Sequence, residues 1–426
     1  MHINRSISLT TGTSTTSRHL NGFSASKMPE DERGTTKQTK SSTQELTNTS
    51  SRDSGLRSDS LYKSRMSSTR FRIRRALLTL VNKESPALGR LQKKVRAPLF
   101  DSYFLYSANL GAHMFYVLMC PLPGWFNCMY LLRDSVMILG LGIFFTGAIK
   151  DYLCLPRPKS PPLHRLTLSH YTAKEYGCPS SHTANATSVC LLVASMAISN
   201  WSHFSSLTTP LFILLFTAWY FLSLVFGRVY CGMHGCVDLA IGMLVGCFAF
   251  AVRVCWLRSA WDDLILNNSS VFVPIGMSLF YYSLIWFHPR PLDPCPCFED
   301  GVSFIGVLIG LDFVHWLFAN YFTQYTVPGY PNSTVPFDLS QLGLAKSTLR
   351  VILGVVLVVS WKVVSKPALQ ALCNLFKPRK NDSNLCYACI SRTDRDIFIR
   401  LIVYAGIPTM VVFGKFIFPL FGLGVN

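Results

Sequence analysis

Charge is scarce in this chain, and negative charge scarcest. Only 15% of the 426 residues are charged, while 50% are hydrophobic and 13% aromatic, and the mean hydropathy is +0.30. Soluble domains carry about 25% charged residues, so a single water-solvated domain is excluded. Asp and Glu number 22 against 40 Lys and Arg. No stretch gathers several carboxylates, so the sequence offers no oxygen-rich site for Mg²⁺, and neither metal nor cofactor is expected. The first hundred residues lack a long apolar run, which predicts no signal-peptide core there.

Beyond residue 100 the apolar runs are long. Windows of about twenty apolar residues mark membrane spans, and they fall near 103–121, 127–149, 183–199, 208–226, 237–256, 270–287, 303–321, 347–365 and 397–420. The last is interrupted by Arg400, Gly406 and Pro408. A backbone in hydrocarbon must satisfy its hydrogen bonds within its own segment, so the spans are helices. The expected fold is all-α: a polytopic integral membrane protein of eight or nine transmembrane helices with its catalytic core in the bundle.

The organisation expected is a tail over 1–98, a catalytic transmembrane core over 99–290, and C-terminal helices over 291–426. Residues 1–60 are rich in Ser and Thr and poor in apolar side chains, a composition that favours disorder. Residues 1–98 hold 19 Lys and Arg against 7 Asp and Glu. Within 66–96 the run Arg70-Phe71-Arg72-Ile73-Arg74-Arg75-Ala76-Leu77-Leu78 can form a helix lying on an anionic bilayer. The plainer alternative is a solvated basic tail that only orients the protein. Nucleic acid is not an expected partner, because no stacking platform accompanies the charge. Of 14 cysteines, Cys386 and Cys389 with Cys295 and Cys297 are a weak zinc pattern, and small apolar thiols are the better expectation.

Three short runs carry chemistry. Lys150…Arg157-Pro158 follows the second span and offers an ammonium and a planar guanidinium, both suited to phosphate oxygens. Pro179-Ser180-Ser181-His182 opens the third span. There a hydroxyl and free amides at the positive end of a helix dipole favour an anion. Arg228…His234…Asp238 bridges the fourth and fifth spans. His and Asp four apart share a helix face, and the carboxylate can fix the imidazole tautomer. Each run has an ordinary reading as an orientation signal, a cap or a structural pair. Parity combines them: the loops after the second and fourth spans and the start of the third lie on one membrane side.

The pattern K-x6-RP, PSxH and R-x5-H-x3-D resembles the PAP2 superfamily of lipid phosphatases, and Pro-Ser-Ser-His-Thr with Arg-Val-Tyr-Cys-Gly-Met-His-Gly resembles its sphingoid long-chain base-1-phosphate phosphatase branch. The resemblance covers residues 100–290 well and the rest in outline. It implies His234 as nucleophile, Asp238 orienting it, and His182 as proton donor and acceptor. Lys150, Arg157, Ser180, Ser181 and Arg228 would bind the phosphate, with no metal. It implies a multi-pass enzyme of the endoplasmic reticulum acting on phosphorylated sphingoid bases. Gly227 stands where the family commonly has Ser. The alternatives are a phosphatase for phosphatidate or polyprenyl pyrophosphate, and a lipid transporter or scramblase that binds phosphate without hydrolysis.

His113, Asp312 and His315 are ionisable groups within predicted spans. Helix–helix hydrogen bonds are expected for them ahead of a proton relay. Basic loops on the motif side point that side to the cytosol, whereas the resemblance implies a lumenal site. Sequons at Asn200, Asn268 and Asn332 fall on the opposite side.

Overall fold

The computed structural model describes residues 53–168, 174–322, 339–375 and 394–424, and among these the regular elements are all helical. A short helix α1 (Asp59–Arg65) precedes the amphipathic α2 (Ser68–Val95). Then come α3 (Pro98–Ser107), α4 (His113–Met119) and α5 (Pro121–Trp125). The bundle follows as α6 (Met129–Leu153), α7 (Ser181–Ser199), α8 (Thr208–Tyr230), α9 (Cys236–Phe250) and α10 (Arg258–Leu266), the last two joined by a π-helical turn. It closes with α11 (Phe272–Phe287), α12 (Cys297–Tyr321), α13 (Leu339–Leu375) and α14 (Asp394–Leu420).

Among the described residues, seven helices are long and apolar enough to cross a membrane, counting α9 with α10 as one. α11 is shorter at 16 residues. Its start lies by the end of α12, where Tyr321 donates to the Ser269 carbonyl at 2.8 Å. Its end returns to α6, with His288 Nδ1 3.9 Å from Asp151. The span expected over 103–121 is not one helix. A 3₁₀ turn at Ala108–Gly111 and the start of a new helix at Pro121 break it into α3, α4 and α5. Proline lacks the amide that would continue the ladder, so an apolar run alone overstated the helix.

α12 lies at the centre. Val302, Ile305, Leu308, Leu311 and Val314 are buried along it and join one apolar core with Trp125, Leu132, Phe144 and Val411. At Gly310 the backbone packs so closely on Ala405 of α14 that any Cβ would collide, the small-residue contact that membrane helices use. Large apolar side chains such as Phe212, Leu215 and Phe216 of α8 and Trp286 and Phe287 of α11 are exposed, as a lipid-facing surface requires.

The ionisable groups Asp312 and His315, buried in α12, both have partners. Asp312 accepts from Tyr281 of α11 at 2.8 Å and from Trp261 of α10 at 3.2 Å. These are the helix–helix bonds expected of it. His315 instead bonds within its own helix, Nδ1 lying 2.7 Å from the Leu311 carbonyl oxygen.

α2 is not a free solvated tail. Arg74, Val81, Ser85, Leu88 and Gln92 form its buried face. Gln92 donates to the His164 carbonyl at 2.6 Å and the Tyr230 carbonyl at 2.7 Å, and Arg70 donates to Asp151 and Tyr152 carbonyls at 2.8 and 2.5 Å. The helix therefore straps the loops after α6 and α8. Its other face exposes Ile73 and Leu80 beside Arg72 and Arg75. Residues 1–52 lie outside the described residues.

Candidate active site

Lys150 sits in the last turn of α6, which stops where Cys154 turns left-handed (φ 51°). The chain then runs through Pro156 to Arg157, held alongside residues 176–178 by the Gly177 amide bonding to the Leu155 carbonyl at 2.8 Å. Ser180 caps α7, and its amide donates to the Asp238 carbonyl at 3.0 Å, which joins the second run to the third. After α8 the amides of Met233 and His234 both bond to the Arg228 carbonyl, at 3.0 and 3.3 Å. The turn needs Gly232 at φ 63°, where a Cβ would also meet the His164 carbonyl at 2.7 Å. The three runs converge at one end of the bundle, as parity predicts.

The distances give the histidine a defined state. Arg157 Nη1 lies 3.0 Å from His234 Nε2 and 3.0 Å from the Met233 carbonyl. A guanidinium only donates, so Nε2 accepts and keeps its lone pair, and the ring proton sits on Nδ1. Nδ1 lies 3.5 Å from Asp238 Oδ2, and that oxygen also accepts from the Gly235 amide at 2.9 Å. Burial first, and then the Arg157 guanidinium, hold His234 well below the usual imidazole range. The group is neutral with a free-base nitrogen beside cations, as a nucleophile requires.

The cations share a carboxylate that the motifs do not include. Glu175 accepts from Lys150 Nζ at 2.5 Å and lies 3.8 Å from Arg157 Nη2. Burial would raise its carboxyl, but Lys150 and Arg157 outweigh it and hold Glu175 below the ordinary range. Lys150 Nζ also donates to Ser181 Oγ at 2.9 Å. Ser180 differs from its neighbour: its oxygen accepts from the Thr183 amide and hydroxyl at 3.4 and 3.0 Å and is fully buried. Ser181 rather than Ser180 thus presents a hydroxyl next to the cations. Arg228 is buried, and among the described residues its guanidinium makes no hydrogen bond or ion pair.

Glu175, Ser181, His182 and Arg228 line one end of a cavity of about 480 Å³. The rest of its wall is largely apolar and includes Val136, Leu139, Ile407 and Val411. His113, expected to bond between helices, also lines this cavity, with its ring edge-on to Phe304. Behind Lys150, the Cys295 and Cys297 sulfurs lie 2.7 Å apart beside Asp151. The other half of the zinc pattern, Cys386 and Cys389, falls outside the described residues.

The PAP2 superfamily profile matches residues 132–262, from α6 through α10. The chain is also 40% identical over 372 residues to a dihydrosphingosine 1-phosphate phosphatase of Saccharomyces cerevisiae, covering 82% of this chain and 87% of the relative. The chain belongs to the PAP2 superfamily. A second similar protein, a dihydrosphingosine 1-phosphate phosphatase of Schizosaccharomyces pombe, is 37% identical over 72% of this chain and 71% of its own. Human sphingosine-1-phosphate phosphatase 2 is 27% identical over 67% and 70%. No solved structure matches.

Within the PAP2 site, Gly227 has a local reason to depart from Ser. A Cβ there would lie 3.0 Å from the ring of Phe104, so α3 occupies the space a serine would use. Glu84 of α2 is a further residue that motifs did not reveal: it accepts from the Cys236 amide at 3.0 Å, two residues past His234. Its only sequence signal is a lone acid in a basic amphipathic helix.

Proposed function

We propose that this multi-pass membrane protein is a metal-independent phosphatase that hydrolyses phosphorylated sphingoid bases to free base and phosphate in the endoplasmic reticulum membrane. The names of its relatives support the substrate, and the family resemblance supports the compartment. The observation that carries the reading is a free-base His234 Nε2 held by Arg157, next to an apolar cavity whose polar end is lined by Ser181, His182 and Arg228, the last without a partner among the described residues. Simple phosphate binding requires no nucleophile with its proton turned toward a carboxylate.

In the proposed cycle the phosphate takes the place of Glu175 at Lys150 and Arg157. Arg228 and the Ser181 hydroxyl complete the set that offsets charge developing on the equatorial oxygens. Arg157 leaves Nε2 for the phosphate, and Nε2 attacks phosphorus in line. As the N–P bond forms, the ester P–O bond breaks, and protonated His182 gives its proton to the leaving alkoxide. The Nδ1–H remains directed at Asp238, which stabilises the positive phosphohistidine ring. His182, now a base, takes a proton from water as its oxygen attacks phosphorus. The N–P bond breaks, and phosphate and neutral His234 are restored.

The test is phosphate release by the purified protein in detergent, compared over dihydrosphingosine 1-phosphate, phosphatidate and a polyprenyl pyrophosphate, with and without EDTA. The sphingoid substrate is expected to turn over fastest, unaffected by chelation. Binding without release would favour a transporter, and a preference for either other lipid would reassign the substrate.

A further inference from the structure

The cavity contains one acid that the phosphate chemistry does not use. Asp300, in the first turn of α12, lines the same cavity as Glu175, Ser181 and Arg228. Its neighbour Glu299 is paired with Arg400 at 2.6 Å. Among the described residues the Asp300 carboxylate makes no hydrogen bond or ion pair, and its electrostatic neighbours include Glu175 and Lys150. Asp300 is half-buried, and a carboxylate partly withdrawn from water without a partner is costly. An anionic substrate would raise that cost, since like charges would be brought together in a poorly screened space.

A charge balance at the head of the cavity resolves the conflict. Lys150, Arg157, Arg228 and the protonated His182 stand against Glu175, Asp300 and Asp238, leaving one excess positive charge in and around the head of the cavity. A phosphate dianion alone would turn this into one excess negative charge. A head group that also carries an ammonium would close the balance. The remaining cation of the cavity wall, Lys362 of α13, is exposed and keeps its charge solvated.

We infer that Asp300 receives the cationic amino group of the substrate and so selects amine-bearing lipid phosphates over amine-free ones. The inference rests on the proposed phosphatase function and narrows it: Lys150, Arg157 and Arg228 read the phosphate, Asp300 reads the ammonium, and the apolar wall takes the chain. Glu175, displaced from Lys150 by phosphate, remains in the same wall and shares the ammonium's field. Asp300 is a specificity-determining residue, outside the bond-making set.

The experiment compares kcat/KM for dihydrosphingosine 1-phosphate with that for octadecyl phosphate, which has the same chain length and phosphate but no amino group. Wild-type protein, Asp300→Asn and Asp300→Glu are measured in detergent. Wild type should favour the amine-bearing substrate. Asp300→Asn should lose about tenfold or more on that substrate, the scale of one charge-assisted hydrogen bond, and change within about twofold on octadecyl phosphate. Asp300→Glu should keep the preference. The ratio of the two substrates within one preparation is independent of how much protein is folded. Equal loss on both substrates would make Asp300 merely structural, and an unchanged ratio in Asp300→Asn would remove it from recognition; either overturns the inference while leaving the phosphatase reading intact. Hydrolysis of neither substrate by wild type would overturn that reading, and the inference with it.

Discussion

The bundle buries charge at both ends of α6, and the two clusters are built differently. Around Arg133 and Asp134, Arg253 binds Asp134 at 2.7 Å and Asp262 at 2.9 and 3.1 Å, Arg258 binds Asp134 at 2.5 Å, and Arg133 binds Asp262 at 2.9 Å. Every acid there is shared between arginines, and the network ties α6 to the π-turn and α10. Around Lys150, roughly 25 Å along the helix at 1.5 Å per residue, two cations, Lys150 and Arg157, share Glu175, and a third, Arg228, has no partner among the described residues. The first cluster is closed and holds helices together. The second is open, faces a cavity, and keeps cationic capacity in reserve for an anion. Buried charge by itself therefore does not mark the site; unequal pairing next to a cavity does.

The comparison can be broken most forcefully at the open end. His234→Ala and His182→Ala should each lower turnover by about a thousandfold or more with the thermal unfolding temperature in detergent nearly unchanged. Loss of folding in step with activity would deny the contrast. At the closed end, Asp262→Ala leaves Arg133 and Arg253 without a shared acid. It should cost about 3–5 kcal/mol of stability, read as a lowered unfolding temperature, while folded protein keeps its kcat. A large fall in kcat there would give the network a role in chemistry.

Glu175→Gln tests the reserve itself. Releasing Lys150 and Arg157 from their internal counter-ion should strengthen product inhibition by inorganic phosphate several-fold, because charged hydrogen bonds to phosphate would form without displacing a carboxylate. Unchanged inhibition would mean that Glu175 does not occupy the phosphate position. The smallest effect is in pH. His234 is held below the usual imidazole value of about 6.5, so it stays neutral and nucleophilic as pH falls through that value. The acid limb that it contributes to kcat/KM should lie below 6.5, and Arg157→Gln, which removes a neighbouring cation, should move it upward. A His234 limb at or above 6.5 in the unaltered protein would contradict the assigned environment.

Much of the site was legible in the sequence because its parts sit at helix ends, where spacing has geometric meaning. Lys150, Arg157, Ser181, His182, Arg228, His234 and Asp238 gather at one end of the bundle as parity requires. Ser180 shows the limit: a Ser-Ser pair at a helix start does not say which hydroxyl caps the helix and which faces the ligand. Glu175 and Asp300 were not found because each is a lone acid without periodic context, and their meaning depends on which cations and which cavity they meet. The apolar run over 103–121 exceeded the length of any helix in it, since composition does not register the 3₁₀ turn before His113 or the restart at Pro121. Likewise a basic amphipathic α2 reads the same from sequence on lipid or on protein loops. Only the partners of Gln92 and Arg70 separate the two.

The central claim is that the open cluster exists to form and break a bond to His234. It is tested most directly by rapid acid-free quenching of the protein with substrate labelled in the phosphate, followed by mapping of the bound label. The account predicts an acid-labile, base-stable phosphate on His234, absent from His234→Ala and formed far more slowly in His182→Ala. Rapid turnover with no label on His234 would contradict it.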